Sequence, residues 1–114
     1  GIAAEPNNFL LRFALGYLKY LTEDYANAIG QLEAAVILNP AYADAKYFLG
    51  LSYVRANRTQ DAIVQFTDVQ TLNPDNKEVA AIIKNLQAGR DPFAGLSGET
   101  APQPSQVFEG GLLQ

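Results

Sequence analysis

Two residue types that carry much of enzyme chemistry are missing from this chain: among its 114 residues there is no histidine and no cysteine. A covalent mechanism needs a nucleophile with a base in reach, and what remains for those roles is Ser, Thr, Lys, Tyr and the carboxylates. The adjacent acids Glu23 and Asp24 fall where a helix is expected to begin, and the positive end of the helix dipole accounts for them there. Asp61 and Asp68 stand seven apart on an expected helix, on its solvated side. Gly110-Gly111 has neither the preceding strand nor the following helix that a phosphate-cradling loop requires. No catalytic constellation, metal-ligand set or cofactor site is expected.

Charge narrows the partners. Twelve acidic residues against eight basic ones leave a net charge of −4. Binding duplex nucleic acid needs clustered Lys and Arg to displace counterions from phosphates, and here the cations are scattered from Arg12 to Arg90. Nucleic acid and an anionic membrane surface are therefore not expected partners. No apolar run approaches the roughly 20 residues that span a bilayer, so no membrane insertion by this segment is expected. The apolar fraction of 48% is enough to form a core in one small domain, and an Ala-rich composition suits helices.

The elements that must position any binding residue follow from an internal period. Displacing the sequence by 34 residues superposes Leu15 on Leu49, Gly16 on Gly50, Ala28 on Ala62, Ile29 on Ile63 and Gln31 on Gln65. Leu38-Asn39-Pro40 likewise falls on Leu72-Asn73-Pro74. Such a period is the signature of a repeat array. Each unit reads as helix, turn, helix. Leu11, Leu15, Leu18 and Leu21 recur at three- and four-residue spacing, marking one face of the first helix. Thr22 is expected to cap the second, whose buried face is Ala28, Ile29, Leu32, Ala35 and Val36. Asn39-Pro40 ends it, because the residue before proline is pushed out of the α region. In the second unit Leu49, Ser52, Tyr53 and Ala56 share one helix, Thr59 caps the next, and Ala62, Ile63, Phe66 and Val69 line that helix up to Asn73-Pro74. Gly16 and Gly50 allow close approach of paired helices, and Ala28 and Ala62 do so from the other side.

These residues resemble the tetratricopeptide family, whose 34-residue unit carries Leu-Gly and then Tyr in its first helix, followed by Ala, an aromatic or Leu, Ala, and a late Pro. The second unit matches with Leu49-Gly50, Tyr53, Ala62, Phe66 and Pro74, but has Val69 where Ala is usual. The first matches with Leu15-Gly16, Ala28, Leu32, Ala35 and Pro40, but has Lys19 in place of Tyr. The resemblance implies an all-α, right-handed helical-repeat solenoid of antiparallel helix pairs. Its divisions are the end of a preceding repeat at 1–8, units at 9–42 and 43–76, a C-terminal capping helix at 77–89 and a flexible tail at 90–114.

Both ends carry their own signals. Ile2-Ala3-Ala4-Glu5-Pro6 aligns with Val36-Ile37-Leu38-Asn39-Pro40, so the chain reads as a piece of a longer array. Asp75 with Glu78 resembles a capping box opening a last helix, Val79, Ile82, Ile83 and Leu86 form its apolar face, and Gly89 closes it. Lys84 stands where the other units have Gly, which suits a terminal helix. In the tail, Val107-Phe108 and Leu112-Leu113 are set among Pro and Gly, either solvated or as a short segment that docks in a groove of its own or a neighbouring chain.

The resemblance further implies that partners dock on the face formed by the first helices. Position by position that face comprises Leu10, Phe13, Tyr17 and Tyr20, then Asp44, Tyr47, Leu51, Val54 and Arg55, then Glu78, Ala81 and Asn85. Phe13, Tyr17 and Phe48 replace the Lys and Asn with which one class of the family grips a terminal carboxylate, so that clamp is not expected. What remains is an aromatic groove for a protein or peptide, the chain's own tail included. Tyr suits this work, with broad contact area and few rotamers to freeze. The alternatives are that some of these aromatics fill gaps between helices or pack on an upstream repeat, and that the array is a self-assembly module, a homo-oligomer built through its repeats or tail.

Overall fold

The computed structural model describes residues 8–96. These form five helices: α1 (Phe9–Leu21), α2 (Tyr25–Leu38), α3 (Ala43–Arg55), α4 (Thr59–Leu72) and α5 (Lys77–Gln87). No strand occurs among the described residues. Helix α1 packs on α2 and α3 on α4 within units, while α2 on α3 and α4 on α5 join successive units. The segment expected to end a preceding repeat lies outside the described residues but for Asn8, as does the Val107, Phe108, Leu112 and Leu113 tail.

Small residues set the distance within each pair. A Cβ built on Gly16 would fall 2.6 Å from Leu32 Cγ, and one on Gly50 would fall 2.8 Å from Phe66 Cε2 and Cζ. Leu32, Phe66, Ala28 and Ala62 are all fully buried. The glycines thus admit the large side chain of the partner helix that the family pattern places opposite them.

All three first helices stop in the same way. After the C-caps Thr22, Ala56 and Ala88, the next residues Glu23, Asn57 and Gly89 have φ of 64°, 62° and 73°. The following amides reach back across the turn, Asp24 to Lys19 O at 2.9 Å, Arg58 to Tyr53 O at 2.8 Å and Arg90 to Asn85 O at 2.8 Å. These are Schellman closures. They correct the caps expected from sequence. Thr22 ends α1, its Oγ1 donating to Lys19 O at 3.0 Å, and does not begin α2. Asp24 is the N-cap of α2, and its carboxylate accepts from Asn27 Nδ2 at 2.8 Å; that bond, with Lys19 beside it, holds the group below the ordinary carboxylate range. Thr59 is the first residue of α4, after the N-cap Arg58. At α5 the cap is Asn76, not Asp75, and Asn76 Oδ1 accepts from Glu78 N and Val79 N.

The Leu face of α1 exists but points outward. Leu15, Leu18 and Leu21 are 38%, 55% and 55% exposed, whereas the residues α1 buries are Phe13 and Gly16. One repeat later, Leu49 and Ser52 are 2% and 0% exposed because α2 lies against α3.

Candidate protein-binding face

The 34-residue period carries the expected site residues onto three parallel rows of first-helix positions. Phe13, Tyr47 and Ala81 share one row, Tyr17, Leu51 and Asn85 the next, and Leu10, Asp44 and Glu78 the row nearest the helix starts. Tyr20 and Val54 extend the array toward the helix ends.

Burial divides the set. Phe13, Tyr47, Leu51 and Asn85 are buried, Leu10, Tyr17, Tyr20, Asp44 and Val54 are half-buried, and Arg55 is exposed. Phe13 and Tyr47, which the resemblance placed on an exposed groove, belong to the core: Phe13 joins α1 to Tyr42 and Phe48, and Tyr47 stands edge-on to Phe66 at 5.4 Å. The reason is the lateral stacking of units. A residue on the row that faces both its partner helix and the next unit loses water from two sides at once.

The centre of the cluster is Phe48, which sequence reasoning treated only as an absent clamp residue. It is buried, and four rings surround it: Tyr17 at 4.9 Å, Tyr20 and Tyr47 at 5.6 Å, and Phe13 at 6.1 Å. Tyr17, Tyr20 and Phe13 come from α1, so this one side chain of α3 ties the two units together. Edge-to-face ring pairs of this kind add roughly 0.5–1.5 kcal/mol each beyond the area they bury. The signal was in the sequence as a fifth aromatic beside the expected Phe13, Tyr17, Tyr20 and Tyr47, at a position where unit one has Ala14.

Tyr17 and Tyr20 therefore sit as rigid, partly exposed rims on a buried aromatic base. Burial raises both phenol pKa values above the ordinary range, with Arg55 opposing the rise at Tyr20. Both stay neutral at physiological pH and present a hydroxyl that can donate or accept. The Tyr47 hydroxyl is buried without a hydrogen-bond partner among the described residues, and burial, with Glu78 adding to it, raises its pKa further.

On the other side of the helix pairs, Tyr53 donates to Glu33 while Arg58 lies 4.5 Å from the Tyr53 ring centre and pairs with Asp61 at 2.8 Å. Asp68 pairs with Lys46 at 3.4 Å. Asp61 and Asp68 are thus engaged in ordinary ion pairs. An open cleft of about 450 Å³ lies between the end of α4 and α5, lined by Gln70, Lys77, Ala80, Ala81, Ile83 and Lys84. Lys84, at the position of Gly16 and Gly50, is exposed there, and no further helix follows α5 among the described residues. No helix among the described residues is long and apolar enough to cross a membrane.

In comparison with known families, residues 19–86 match the sequence model of the tetratricopeptide repeat. No curated protein matches the chain.

Proposed function

Because the chain belongs to the tetratricopeptide repeat family, whose members are non-catalytic protein-interaction scaffolds, we propose that it holds a partner protein or peptide on the aromatic and apolar face of its first helices. The observation that carries this reading is the pair Tyr17 and Tyr20, half-exposed yet packed on buried Phe48. Their rings are already ordered, so a partner gains contact area without freezing them. Leu10, Val54, Arg55 and Asp44 border them and supply apolar contact and charge for orientation. Panning a random peptide library against residues 1–114 tests it, with Tyr17→Ala/Tyr20→Ala as comparison. A convergent motif lost in the variant, at unchanged helicity, is the expected result. Enrichment that survives the variant would remove these rings from the site.

The exposed stripe of Leu15, Leu18 and Leu21 favours a second reading, self-assembly. Leu49 and Ser52, the equivalents of Leu15 and Leu18 in α3, are covered by a neighbouring helix, and in a self-associating array a second copy of the chain covers the stripe. Light scattering should then give a mass above the monomer that returns to the monomer in Leu15→Lys/Leu18→Lys. A monomeric wild type at all concentrations would dispose of this reading.

A further inference from the structure

The chain places a segment of its own on the last member of the Tyr17–Leu51–Asn85 row. Asn85 is buried, and its Nδ2 donates to Pro92 O and to Ala94 O, both at 2.9 Å. Pro92 is buried, and Phe93 and Leu96 pack on the core. The segment is two successive tight turns: Ala94 N bonds to Asp91 O and Leu96 N to Phe93 O, both at 3.0 Å, with Phe93 N on Asp91 Oδ2 at 3.0 Å and Gly95 at φ 79°.

Nothing of the kind occurs in the other units. There the Schellman closure is followed at once by a second helix, α2 or α4. At α5 the closure comes two residues early in the period, Ala88 instead of residue 90 serving as C-cap, and the chain turns back over Asn85. Both amide protons of Asn85 meet main-chain carbonyls, and the remaining contacts are apolar. Recognition of this form reads two backbone carbonyls, through the two donors of the Asn85 amide, together with apolar bulk.

We propose that Pro92–Leu96 is a built-in ligand of the binding face, occupying at α5 the place that an incoming apolar segment takes in exchange. The partner class is thereby specified: a Pro- and aromatic-containing peptide in a turn, presenting two carbonyls two residues apart to Asn85. This rests on the reading of the first-helix rows as a binding face. Because the segment is tethered to α5 by a few residues, its local concentration is roughly millimolar, and a free peptide competes against it.

The test uses the full chain and a fluorescein-labelled peptide copying residues 90–96. Phe93→Ser/Leu96→Ser, which weakens the internal ligand but keeps Asn85, should bind that peptide about tenfold more tightly than wild type, a difference of about 1.4 kcal/mol. Adding Asn85→Ala should abolish the gain. Equal binding by wild type and variant, or none by a variant of native helicity, overturns the proposal. Should the double variant lose helicity, chymotrypsin cleavage after Phe93 decides: Asn85→Asp should raise it about tenfold relative to cleavage after core Phe66, and an unchanged ratio overturns the proposal. Tyr17→Ala/Tyr20→Ala leaves this end of the face intact. Failure of the aromatic site therefore spares peptide binding here, and failure of the internal ligand spares Tyr17-dependent binding.

Discussion

Gly16→Ala sets two known effects against each other. Replacing an interior helical Gly by Ala raises helix stability by roughly 1 kcal/mol. The new methyl, however, would lie 2.6 Å from Leu32 Cγ, 2.8 Å from Leu32 Cδ2 and 3.2 Å from Leu32 N, where carbon contacts are favourable only near about 3.5–4.0 Å. Leu32 is fully buried, its Cγ is a branch point, and a backbone nitrogen moves only with its helix. Relief therefore requires α1 and α2 to separate, an overpacking cost of about 1–3 kcal/mol at its upper end. The net expectation is a loss of about 1–2 kcal/mol. Gly30→Ala is the internal control: it lies within α2 with nothing inside 4 Å of its built Cβ, so the full gain of about 1 kcal/mol should appear. The two variants should differ by about 2–3 kcal/mol, on the order of 10–20 °C in melting temperature for a domain of this size. Circular dichroism at the helix band, followed through heat and urea, reads the difference directly. A Gly16→Ala protein as stable as wild type would refute the argument that this glycine sets the spacing of the pair.

Further predictions concern the tyrosines and the turns. Tyr17, Tyr20, Tyr47 and Tyr53 all have phenol pKa values raised by burial, so the stability they confer is complete below the ordinary value of about 10 and declines as pH rises beyond it toward the folded values. Tyrosinate absorbance should accordingly appear together with loss of helical signal, and tyrosinate forming within an intact helical protein at these positions would contradict it. Tyr53→Phe removes the bond to Glu33 but leaves the ring for Arg58, and should cost about 1–2 kcal/mol in urea unfolding. Glu23→Gly relieves a left-handed residue at φ 64° and should raise stability by about 0.5–1 kcal/mol, visible as a higher melting temperature.

The period of the sequence specified much of the architecture, because it is written in residues whose effect is local or pairwise. Asn39-Pro40 and Asn73-Pro74 end α2 and α4 where the chain itself forbids more helix, and Gly16 and Gly50 lie opposite Leu32 and Phe66 as the repeat demands. The helix closures were harder to read. Glu23 and Asn57 adopt a conformation that glycine favours, and only Gly89 announces it by residue type.

Burial was a different matter. An apolar stripe in a sequence says that a helix has a face, and it cannot say whether another helix lies against it: Leu15 and Leu49 occupy one position of the repeat, and only Leu49 has α2 on top of it. Phe13 and Tyr47 were expected in the groove because the resemblance puts their row on the docking face, but packing buries them and leaves Tyr17 and Tyr20 as the rim. Asn85 presented only its position on the expected face, and the turn of residues 91–96 back onto its amide depends on α5 closing two residues early. Spacing along the chain determined which residues share a helix face. Which of those faces is covered depended on neighbours distant in sequence, and only the tertiary structure brings them together.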